Sequence, residues 1–64
     1  MFKPRMNLDF KTKMGDSRDL IDRAATILYR FGLRREAQNI QQEATISGYE
    51  FHTCLVLLKR YMTV

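Results

Sequence analysis

One cysteine, one histidine, one proline and no tryptophan leave this 64-residue chain few ways to staple a small core. A lone Cys54 excludes an intrachain disulfide, and a lone His52 with no Cys/His cluster excludes a structural zinc site. No metal or other cofactor is implied. A chain of this length buries only about 60% of the surface its unfolded form exposes, so self-association is the staple that remains. Cys54 and His52 do not make a nucleophile and base either, because side chains two apart on a helix point about 200° away from each other. Cys54 reads as a small buried hydrophobe in a reducing compartment, and His52 as a surface histidine.

Long apolar runs are missing too. The longest, CLVLL at 54–58, is far too short to span a bilayer, and the N-terminus lacks the pattern of a secretory signal. The expectation is a soluble, cytoplasmic chain with no membrane partner. Glycine-rich phosphate loops, His/Glu metal helices, serine elbows and paired carboxylates on one helix face are all absent. A non-enzyme, with no catalytic residues, is therefore expected.

What is present is sharply patterned. In FKPRMNLDFKTKM, residues 2–14, Phe2, Pro4, Met6, Leu8, Phe10 and Met14 share one parity, while Lys3, Arg5, Asn7, Asp9, Lys11 and Lys13 share the other. That is the period of a β-strand. The rest of the chain reads as helix, so such a strand either pairs outside its own chain or is a flexible basic tail whose alternation is accidental. Pro4, with no ladder donor, limits regular pairing to about residues 5–12.

The net charge of +4 is uneven: residues 1–15 carry Lys3, Arg5, Lys11 and Lys13 against Asp9 alone. A basic arm on a nearly neutral body favours polyanions or an acidic protein surface.

Gly15, Gly32 and Gly48 divide the remainder into three segments. In the first, Asp16 or Ser17 can cap, Asp19 suits the dipole, and Leu20, Ile21, Ala24, Ile27, Leu28 and Phe31 form one stripe. Gly32 is placed to turn left-handed and fold Leu33 back onto Leu28. The second carries a narrow seam of Leu33, Ala37, Ile40, Ala44 and Ser47 beside a polar face of Arg34, Arg35, Gln38, Asn39, Gln42 and Glu43.

The third spreads Phe51, Cys54, Leu55, Leu57, Leu58, Tyr61 and Met62 over roughly 160°, with Val56 outside. One narrow partner helix could not cover that arc, a second reason to expect a homo-oligomer or a protein target. The architecture expected is mainly α: an extended arm at 1–15 free to pair as an intermolecular β-strand, and a three-helix bundle at 16–64 with helices near 16–31, 34–47 and 50–62.

Around the first turn, Tyr29, Gly32, Glu36, Ala37 and Ala44 fall at the spacing of a tetratricopeptide repeat, which this stretch resembles. Gln41 stands where that family has a large aromatic, and no second repeat follows. The resemblance implies a helix hairpin with small-residue packing.

A strand followed by helices also resembles the ribbon-helix-helix family of DNA-binding dimers. That resemblance implies an antiparallel strand pair whose Lys3, Arg5, Asn7 and Lys11 read the major groove, with Met6, Leu8 and Phe10 facing the dimer core and Lys13 as a further contact. Asp9 would sit among those readers, and the third helix is additional to that fold.

Two functions follow as expectations. The first is a small protein-binding modulator or inhibitor, economical in the manner of virus- and phage-encoded ones, using Phe51, Cys54, Leu55, Leu57, Leu58, Tyr61, Met6, Leu8 and Phe10 as interface. The alternative is a DNA-binding transcriptional regulator.

Overall fold

The computed structural model describes residues 2–6 and 17–63. Three helices follow one another: α1 Ser17–Arg30, α2 Arg34–Ile46 and α3 Phe51–Tyr61. Their ends lie within a residue or two of those read from the sequence, because glycines mark the stops.

At the end of α1, Gly32 takes φ +75°, the Leu33 N–H donates to the Leu28 carbonyl at 2.9 Å, and the Gly32 N–H donates to the Tyr29 carbonyl at 3.0 Å. This is a Schellman cap, and it turns the chain sharply into α2. Gly48, φ +67°, repeats it after α2: the Tyr49 N–H reaches the Ala44 carbonyl at 2.8 Å and the Gly48 N–H reaches Thr45 at 2.9 Å. Here the next residue, Tyr49, is left-handed as well at φ +58°, a strained value for an aromatic. Its ring is held by Arg18, whose guanidinium lies 5.6 Å above it, and by a 3.2 Å hydrogen bond between its hydroxyl and that of Thr45.

The core collects one stripe from each helix. Leu20, Ile21, Ala24, Ala25 and Leu28 come from α1, Ala37, Ile40 and Ala44 from α2, and Cys54, Leu57 and Leu58 from α3, followed by Met62. Alanines on both α1 and α2 let those two helices approach closely, and their interface is the most extensive in the fold. Phe31 departs from the expected stripe: it lies past the end of α1, turned outward at 56% exposure, while Ala25 takes a buried place.

The alternating arm resolves differently from expectation, since its described part finds a partner inside the chain. Arg5 and Thr63 form a parallel β-bridge. The Thr63 N–H donates to the Pro4 carbonyl and the Met6 N–H donates to the Thr63 carbonyl, both at 2.9 Å, while the Thr63 hydroxyl donates to the Lys3 carbonyl at 3.2 Å. Pro4 contributes the acceptor that proline retains, so its missing N–H costs nothing here.

From Lys3 to Met6 the side chains follow the parity read from the sequence, with Pro4 and Met6 buried and Lys3 and Arg5 exposed, whereas Phe2, of the apolar parity, is exposed. The premise that the arc of α3 stays uncovered is likewise corrected. Two helices and the arm share the task that one helix could not perform, and Cys54, Leu57 and Leu58 end in the chain's own core.

Glu50 caps α3, which the sequence reading did not single out. Its carboxylate accepts from the Thr53 N–H at 2.7 Å and the Thr53 hydroxyl at 2.9 Å. Those bonds, the Thr53 backbone donor first and the His52 backbone donor next, pull its pKa from an ordinary 4.5 to about 2.

Two predictions follow from this packing. Met6→Ala leaves a cavity at the arm's anchor and should cost about 2–4 kcal/mol in urea unfolding monitored at 222 nm, with the loss concentrated in a lower midpoint. The depressed Glu50 pKa adds stability that is complete above pH 4.5 and drains as pH falls toward 2. Glu50→Gln should therefore flatten the thermal stability profile across that window and change little below it.

Candidate functional site

The arm and α1 flank an open groove of about 430 Å³. Arg5 and Met6 line one side; Asp19, Asp22, Arg23, Thr26, Ile27 and Arg30 line the other. The α1 residues recur at three and four, so a single helix face supplies them. No residue of α3 or of the chain following it borders the groove, which therefore lies on the side of the arm away from Thr63.

Its floor is apolar, from buried Met6 and half-buried Ile27. Its rim is charged. Arg23 pairs with Asp19 at 3.7 Å, both largely exposed, whereas Arg5, Arg30 and Asp22 make no ion pair among the described residues.

Beside this groove, Phe2 and Phe31 meet with ring centroids 5.2 Å apart and planes tilted by 53°. Both rings remain more than half exposed even in contact, at 60% and 56%. Two phenylalanines that stay wet after finding each other form an apolar extension of the surface.

The bridge fixes one further feature. An extended residue sends its N–H and C=O to the same side, and its neighbours send theirs to the opposite side. Pro4 and Met6 face Thr63, so Arg5 turns its backbone N–H and C=O outward, and neither takes a partner among the described residues. Among the described residues, the arm thus carries an open edge at Arg5.

The residues named from sequence are sorted by this geometry. Lys3 and Arg5 are exposed on the arm, with the Lys3 ammonium also reaching the Lys59 carbonyl at 3.4 Å. Asn7, Leu8, Phe10, Lys11 and Lys13 lie outside the described residues. Met6, Cys54, Leu57 and Leu58 are core, which removes them from any surface the folded chain presents. Phe51, Leu55 and Tyr61 are half-buried.

Tyr61 donates to Glu43 at 3.2 Å, and Arg60 pairs with the same carboxylate at 3.8 Å, tying α3 to α2. Burial first, and the Glu43 charge second, push the Tyr61 phenol upward. The α1 face of Arg23, Thr26, Ile27 and Arg30 was missed. The sequence places Ile27 on the apolar stripe of α1 and has no motif that joins it to Arg23, Thr26 and Arg30.

No cluster of three or more His, Cys, Asp or Glu among the described residues converges on a metal position. No helix among the described residues is long and apolar enough to cross a membrane. Comparison with protein-family models, with curated proteins and with solved structures finds no match for this chain.

Burial raises the Cys54 thiol pKa, and Glu50 adds to the effect. Iodoacetamide at pH 8 should alkylate Cys54 at least about a hundredfold more slowly in the native chain than in urea. Rapid native labelling would show that α3 opens readily.

Proposed function

We propose that this chain is a non-enzymatic protein-binding module that modulates a partner by occupying its surface, with the groove between arm and α1 as the contact. The observation carrying this reading is the combination at one place of an apolar floor, an exposed aromatic pair and an unpaired strand edge. Each is a common anchor in protein recognition: apolar residues in a groove supply burial, aromatics supply large rigid area, and main-chain donors supply register. The packed core supports a shift of the interface away from α3, since Cys54, Leu57 and Leu58 are already used within the chain.

The exposed Lys3 and Arg5 favour a second reading, in which two copies pair their arms into a basic ribbon on DNA.

The test uses substitutions at exposed positions. Thr26→Trp fills the groove, and Asn39→Trp places the same bulk on the exposed polar face of α2. With helicity unchanged, Thr26→Trp should weaken binding of the protein recovered by the tagged chain from its native cells at least about tenfold, and Asn39→Trp should not. Equal behaviour of the two variants counts against the groove. Recovery of nucleic acid alone, with salt-sensitive duplex binding that Lys3→Ala and Arg5→Ala reduce, would replace this reading with the DNA one.

A further inference from the structure

Resting on the protein-binding reading, we infer that the groove's occupant is an extended segment of another protein, about five residues long, alternating acidic and apolar side chains and adding as a strand to the open edge at Arg5. Length comes first. The α1 face from Asp19 to Arg30 rises about 16 Å at 1.5 Å per residue, and five extended residues span about the same distance.

Alternation comes from the pleat. A residue paired across from Arg5 carries its side chain on the same face as Arg5 and meets a cation that stands exposed in solvent. Lys3 adds no second such position, because its carbonyl accepts from the Thr63 hydroxyl and its ammonium reaches the Lys59 carbonyl. The residues flanking the one opposite Arg5 turn toward the body, where Met6 and Ile27 make the floor.

Charge decides the sign. The groove rim carries Arg5, Arg23 and Arg30 against Asp19 and Asp22, and Asp19 is already occupied by Arg23. That pair leaves Arg5 and Arg30 against Asp22, an excess of positive charge. Carboxylates on the incoming strand are attracted, and lysines are repelled.

The same chemistry disfavours a second copy of this chain as the occupant. A two-fold antiparallel pairing of arms centred on Arg5 sets Arg5 against Arg5, whereas one centred on Pro4 needs the Lys3 carbonyl that already accepts from Thr63. Like charges directly opposite each other destabilise a strand pair.

The experiment titrates the isotope-labelled chain at low ionic strength with two blocked five-residue peptides. One alternates glutamate with valine, and the other replaces each glutamate by lysine. Expected are amide shifts at Arg5 and Ile27 and an affinity for the acidic peptide at least about fivefold higher. Arg5→Glu, which alters only an exposed side chain, should reverse that order.

Equal affinities, or an order that Arg5→Glu leaves unchanged, would overturn the acidic specificity while the groove itself stands. No shift with either peptide, alongside a protein partner still lost in Thr26→Trp, would overturn strand addition and leave the protein-binding reading intact. Loss of both fails both. A dimer that protects the Arg5 amide and that neither peptide dissociates would assign the edge to a second copy, and an oligonucleotide that alone shifts Lys3 and Arg5 would assign it to nucleic acid; each overturns the inference.

Discussion

Thr63 grips the arm with its backbone N–H, its backbone carbonyl and its hydroxyl, and the three bonds run to Pro4, Met6 and Lys3 in turn. Exposed hydrogen bonds of this kind contribute little singly, on the order of 1 kcal/mol or less. Their importance is geometric. By fixing the arm's register they commit Pro4 and Met6 to the interior and leave Lys3 and Arg5 outside, since a slip of one residue would exchange the two sets. Met6 then joins the cluster containing Leu20, Ile21, Leu57, Leu58 and Met62. Loss of the bridge would release the arm, expose that end of the core and erase one wall of the groove.

The helices could be read from the sequence because their signals are local. Gly32 and Gly48 each supply a left-handed residue where the backbone needs one, and the stripes between them repeat at helical spacing. The bridge could not be read that way. A strand announces itself over several residues, whereas Thr63 is a single residue following a helix and has no alternation of its own. The arc on α3 was misjudged for the same reason. Counting helices as the available cover omitted a short extended segment that seals the remaining gap from a distance of nearly the whole chain.

The site was less legible than the fold. Lys3 and Arg5 were identifiable as an exposed basic parity, but the groove joins them to Arg23, Thr26, Ile27 and Arg30, residues with no motif linking them. Phe31 shows the limit of periodicity most clearly. Its position continues the α1 stripe, yet it lies beyond the last helical residue, and the backbone there has already turned toward Gly32. The ring consequently leaves the core and meets Phe2, a contact that exists only because the arm has been brought back by Thr63.

An open edge is ordinarily a liability, and lysine or arginine on edge strands is a common defence against association with like chains. Lys3 and Arg5 satisfy that role. The adjoining groove distinguishes this edge from a merely defended one. Charge repels another basic arm but does not remove the outward N–H and C=O of Arg5, nor does it cover Ile27 or the Phe2–Phe31 pair. Repulsion between copies and attraction for a carboxylate are the same field acting on opposite signs. An edge whose Arg5 would oppose another basic arm, while its main-chain N–H and C=O stay open beside an apolar floor, is the arrangement on which the proposed selectivity rests.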